Sequence, residues 1–136
     1  MTAPNTDHPS SRDELSRKLG ITVVELSAKR AVAKMPVAGN RQPFGVLHGG
    51  AYCVLGETLA SMAANEHAGP GRVAFGIDLN ATHHRAALDG EVTATALALH
   101  LGSTLTSHEV VITDASGKRL STVRVTNIIR EAAQPK

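Results

Sequence analysis

Only one stretch of this sequence is long enough to lie as a helix across a sheet, and the residues after it read as strand. From about Gly49 to Glu66, "GGAYCVLGETLASMAANE", Val54, Leu55, Leu59, Met62 and Ala63 are the inward-facing candidates. Ala51, Ala60 and Ala64 keep parts of that surface thin. "HAGPG" then stops the helix, with Gly69 and Pro70 in terminating positions. Four strand candidates come next: "RVAFGIDLNATHH", "EVTATALALHLG", "STLTSHEVVITD" and "KRLSTVRVTNII". The middle pair alternates, with Val92, Ala94, Ala96 and Ala98 on one face. "DASGK" at 114–118 is a tight hairpin, Gly90 marks a second turn, and at Gly102 the chain bends or reverses.

Ahead of the helix, "ITVVELSAKRAVAKMPV" is strand material, two strands or one long bent pair, ended by Pro36. "AGNRQPFGVL" at 38–47 is a loop broken by Gly39, Pro43 and Gly45, near the length at which loops carry function. Ser10 or Ser11 caps a short helix through Lys18, and Gly20 stops it. The whole is an α+β arrangement, an antiparallel sheet with one helix across its apolar face. One helix leaves the other sheet face or an edge uncovered, so an oligomer is expected. We expect a tail and short helix over 1–19, one domain over 20–131 and a short tail over 132–136.

Composition narrows the function. At 136 residues, 42% hydrophobic and 19% charged, the chain supports one ordinary core. Aromatics are 2% with no Trp, so stacking platforms for single-stranded nucleic acid are poorly supplied, and the net charge of +2 is that of a solvated surface. A single cysteine, Cys53, excludes an internal disulfide framework and is expected to be a small buried residue. No apolar run reaches the ~20 residues of a membrane helix, and the first residues lack a signal-peptide core, so a cytoplasmic protein is expected. Metal-ligand spacings, GxGxxG, a P-loop and G-x-S-x-G are all missing. His83 and His84, adjacent on a strand, face opposite ways and cannot easily share a metal.

Chemistry concentrates on the helix. His48 precedes it, and Gly49 and Gly50 open it, where amides lack intrahelical partners and the dipole favours negative charge. Such amides suit a developing oxyanion, although a glycine pair also simply turns a chain. Glu57 is the only acid between Gly49 and Ala63, and its polar neighbours are few. A carboxylate there either reaches water or sits buried at a cost on the order of several kcal/mol. Ser61, one turn on, presents its hydroxyl on the same face. Gly49 and Glu57 are eight residues apart, about 12 Å of rise, too far for one carbonyl to touch both. Either their roles differ, or two antiparallel helices meet across a dimer, with Ala51, Gly56 and Ala60 allowing close approach.

"PFGVLHGG", Glu57 eight residues beyond Gly49, "NATHHR" and "LHLGST" together resemble hotdog-fold acyl-CoA thioesterases. The likeness is to the branch of Arthrobacter-type 4-hydroxybenzoyl-CoA thioesterases, phenylacetate-pathway thioesterases and 1,4-dihydroxy-2-naphthoyl-CoA hydrolases, over roughly residues 20–130. The resemblance implies dimers that pair into homotetramers, sites shared between chains, and no cofactor beyond the CoA substrate. It implies Glu57 as nucleophile or general base, and the Gly49 N–H on the thioester carbonyl. His48 and Gln42 would lie around that carbonyl or the water, with Ser61 supporting the acid. His83 would line the acyl pocket, and Gly102 and Ser103 the path of CoA, with Arg85 and Arg124 as phosphate candidates. Thr82, where asparagine is commoner, and Ala86 and Ala87 depart from the pattern and leave acyl preference open. A hydratase acting on acyl-CoA and a non-catalytic acyl-CoA module are the rival expectations.

Overall fold

Six residues of helix open the computed structural model, which describes residues 13–133. In this α1 (Glu14–Leu19), the cap is Asp13, whose side chain accepts from Ser16 N at 3.0 Å and Ser16 Oγ at 2.6 Å. The cap therefore differs from the expected serine; Ser10 and Ser11 lie outside the described residues. Gly20 ends the helix at φ +76°, a conformation glycine takes without strain.

Residues 21–37 resolve into two strands, β1 (Thr22–Leu26) and β2 (Arg30–Pro36), joined where Ser27 N donates to Arg30 O at 2.9 Å. The long helix α2 (Gly49–Ala68) runs two residues beyond the expected end, until Gly69 donates its N–H to Asn65 O at 3.2 Å. All four later strands form: β3 (Arg72–His83), β4 (Glu91–Leu101), β5 (Leu105–Thr113) and β6 (Arg119–Glu131). Every neighbouring pair is antiparallel, in the order β1-β2-β4-β5-β6-β3. One helix wrapped by a six-stranded sheet is the hotdog fold.

The helix sits close because its floor is made of small side chains. Ala31 faces Ala96, and Ala33 faces Ala94, across β2 and β4, and all four are fully buried. Leu55, Leu59 and Ala63 fill the space above, with Val110, Ile112, Val123 and Val125 completing the core. Gly56 belongs to this packing, since a Cβ there would stand 2.9 Å from Val123 Cγ1. Gly56 and Ala60 are thus spent against the chain's own sheet, which corrects the expectation that they admit a second helix. Val54, Met62 and Cys53 are only half-buried, although α1 reaches α2 near Thr58, where Ser16 Oγ lies 3.4 Å from Thr58 Oγ1.

Among the buried polar groups, His108 makes stability depend on pH. Its Nε2 donates to Ala28 O at 2.8 Å while Nδ1 has no partner among the described residues. Burial lowers its pKa below the ordinary 6.5; the Ala28 carbonyl partly opposes this and His67 adds to it. The folded state therefore binds this proton less readily than the unfolded chain. The stability it contributes is whole above pH 6.5 and is lost as pH falls from there through the lowered folded value. The melting temperature should drop on going from pH 7.5 to 5.5, and His108→Leu should flatten that slope. An unchanged slope in the variant would contradict this assignment.

Candidate active site

Two half-sites lie at opposite parts of α2 and share no residue. The first surrounds Glu57. Its cavity, of about 490 Å³, is lined by Leu26, Thr58, Ser61, Met62, Phe75 and Gly76 among others. Glu57 is exposed in the single chain, and it takes part in none of the ion pairs among the described residues. Of the two outcomes left open for this acid, the carboxylate reaches open space rather than being buried.

Its position depends on a glycine that the sequence pattern did not single out. Glu57 lies over Gly76 on β3, where any Cβ would collide with Glu57 Oε2. Beside it the register of β3 and β6 shifts between Gly76 and Asp78, a bulge that turns the edge strand locally. A lone glycine inside a strand pattern, as in "VAFGIDL", is the available signal for such a close approach. Ser61, one turn along the helix, lines the same cavity and donates to Asn127 Oδ1 at 2.8 Å.

The second half-site surrounds the start of α2. His48 is its cap: Nδ1 accepts from Gly50 N at 2.8 Å, and the His48 carbonyl accepts from Ala51 N at 2.9 Å. Among the described residues nothing accepts from the Gly49 N–H. The first amide of a twenty-residue helix is thereby left available, at the positive end of its dipole.

A cavity of about 280 Å³ opens there, lined by Gly49, Tyr52, His83, His84, Arg85 and Ala86 among others. The His83 ring stacks on Tyr52 at 4.9 Å, with Nδ1 2.9 Å from Ser121 Oγ. Ser121 Oγ donates to Thr82 O at 3.3 Å, so it accepts from His83 Nδ1–H. That leaves His83 Nε2 as a lone-pair acceptor beside Gly49, 3.0 Å from where a Cβ would stand. Burial, and then the neighbouring His84, push the His83 pKa down, favouring the neutral ring. The His84 ring is held separately, with Nε2 2.9 Å from Thr122 Oγ1.

Of the remaining expected residues, Arg85 is at one of these two cavities and the others are not. Gln42 sits in a turn in which Gly45 N donates to its carbonyl at 3.0 Å, while its side chain accepts from Phe44 N. Gly102 and Ser103 form the β4–β5 turn, tied by their carbonyls to His67 and Arg72, each at 2.8 Å. Arg85 lines the Gly49 cavity, whereas Arg124 is exposed between the buried Val123 and Val125, on the sheet face turned away from α2.

A hotdog fold with a carboxylate on its central helix and an amide at that helix's start, neither bonded among the described residues, is an arrangement compatible with acyl transfer. The chain belongs to the Thioesterase superfamily, whose pattern matches residues 44–121. It is 44% identical over 117 residues to the proofreading thioesterase EntH of Klebsiella pneumoniae, a match covering 85% of each chain. A Pseudomonas aeruginosa thioesterase, solved with a glutamine replaced by alanine, superposes with TM-score 0.86 at 34% identity, over 90% of both chains. A Staphylococcus aureus thioesterase has been solved as glutamine-to-alanine and glutamate-to-alanine variants, with TM-scores of 0.82 and 0.83. These are 30% and 31% identical, covering 85% and 87% of this chain and 98% and 99% of theirs. The protein is a thioesterase, an enzyme that hydrolyses thioesters of the acyl-CoA kind.

Proposed function

We propose that the enzyme hydrolyses aroyl- or medium-chain acyl-CoA to the free acid and CoA, in the manner of the hydroxybenzoyl-CoA and dihydroxynaphthoyl-CoA branch. The observation that carries this reading is the Glu57 carboxylate, in no ion pair among the described residues, in a cavity it shares with Ser61, Met62 and Phe75 and with two further carboxylates, Asp13 and Glu66. A thioester needs little more than such a carboxylate, an oxyanion donor and correct placement. Glu57 attacks the carbonyl carbon or takes a proton from an attacking water. The Gly49 N–H strengthens its hold as charge moves onto the carbonyl oxygen. His48 and Gln42 lie around that oxygen, His83 lines the acyl pocket, and CoA runs over Gly102 and Ser103 towards Arg85 and Arg124.

The two halves come from different chains. In support, β3 is an edge strand of twelve residues whose Phe75 and Ile77 are 58% and 56% exposed, with Phe75 lining the same cavity as Glu57 and Met62 of α2. Pairing two such edges antiparallel brings one Glu57 towards the partner's Gly49, and pairs of dimers make the tetramer. Further support comes from the Staphylococcus aureus variants. Their substituted glutamine and glutamate are fifteen positions apart, the separation of Gln42 and Glu57 here.

A thiol-release assay across benzoyl-, hydroxybenzoyl-, dihydroxynaphthoyl-, phenylacetyl- and straight-chain CoA esters tests the substrate class. Turnover of aroyl esters at or above the rate for medium straight chains is expected. Release from short straight chains alone would overturn it.

A further inference from the structure

Ser61 and Glu57 are one turn apart on α2, and the sheet below them repeats that pairing. Gly76 on β3 stands directly across from Asn127 on β6. Glu57 lies over the first and Ser61 bonds to the second. Asn127 is fully buried in a strand whose inward positions are otherwise mostly aliphatic. Its Nδ2 has no partner among the described residues, so the bond to Ser61 is the one its side chain makes there. An amide half-satisfied in a core costs stability that an aliphatic residue would not, and such positions tend to serve function.

We infer that Asn127 is a positioning residue for hydrolysis: by accepting the Ser61 proton, it leaves Ser61 Oγ facing the Glu57 cavity with lone pairs alone. This rests on the catalytic role proposed for Glu57. A hydroxyl has one proton, and here Asn127 Oδ1 holds it at 2.8 Å. The Ser61 oxygen and the Glu57 carboxylate, one turn apart in this cavity, are then both acceptors, and neither offers a donor. The ligand suited to that pair donates two hydrogen bonds and keeps a free lone pair, which is a water molecule. One of its protons passes to Glu57 as its oxygen forms the new C–O bond to the thioester carbon. The C–S bond breaks, the sulfur leaves with the electron pair, and the thiolate takes the proton back from Glu57. The arrangement thus selects general-base attack by water over direct attack by Glu57.

The test is a double-mutant cycle on thioester hydrolysis by the full-length enzyme. Asn127→Leu and Ser61→Ala should each lower kcat about 10-fold, the scale of one hydrogen bond, with KM changed less than about twofold. The double variant N127L/S61A should be no slower than S61A, because Asn127 acts through Ser61. Thr106→Val, which alters the buried hydroxyl across the strand from Asn127, should leave kcat unchanged. Melting temperature is read alongside, and Asn127→Val serves if the leucine variant does not fold. Parent-like kcat in N127L, or losses that multiply in the double variant, would overturn the inference. Glu57→Gln separates the two layers. If it is inactive while N127L is unaffected, only the role of Asn127 falls; if it is fully active, the role of Glu57 falls first.

Discussion

Glu57→Gln lowers kcat for acyl-CoA hydrolysis by about 10²–10⁴-fold, the usual scale for losing a general base. The substitution keeps the shape of the side chain and removes its ability to take a proton. Because Glu57 is exposed in the single chain and makes no ion pair among the described residues, the fold does not depend on its charge. The melting temperature should therefore stay close to that of the parent while turnover collapses. Glu57→Asp, which retains a carboxylate at a shorter reach, should keep more activity than Glu57→Ala. A glutamine variant hydrolysing at the parent rate in a thiol-release assay would remove Glu57 from the chemistry.

Gly76→Ala comes second in size, with kcat expected to fall about 10–100-fold, the scale for misplacing a catalytic group by around an ångström. The strand itself tolerates alanine, since Gly76 does not take a positive φ. The conflict is with Glu57, whose Oε2 occupies the space that the new Cβ would enter. The carboxylate must swing aside, so the loss should appear in kcat with the fold intact. Retention of the parent kcat would mean that the carboxylate works from some other position.

The sequence made much of this architecture legible, and the exceptions have physical causes. Four strands after one long helix follow from alternation and from turn residues such as Asp114 and Gly117, where Asp114 Oδ1 accepts from Lys118 N at 3.0 Å. The half-buried side of α2 was harder to read. Val54 and Met62 have the apolarity of core residues, yet they are only half-buried, and composition does not separate the two sides of a helix apolar almost all round. Glu57 stood out because its surroundings hold so few polar groups, and Gly49 because amides at a helix start are unsatisfied. Gly76 and Asn127 were missed. Each is an isolated departure within a strand pattern, and only the cross-strand register shows that they face one another beneath Glu57 and Ser61. Gln42 and Arg124 were placed through the family resemblance alone, and in the single chain neither lines the two cavities.

The central claim, that one chain's carboxylate serves a thioester held by another chain's helix start, is tested most directly by mixing two inactive proteins. One carries Glu57→Gln. The other carries Gly49→Pro, which deletes the free N–H at a helix position that accepts proline. His48 already has the extended conformation preferred before proline, with ψ 134°, and His83 need yield only a few tenths of an ångström. After confirmed subunit exchange, half of the dimers are mixed and each holds one intact site, so about a quarter of the parent activity should return. Activity no greater than that of the two separate variants would show that the site lies within a single chain.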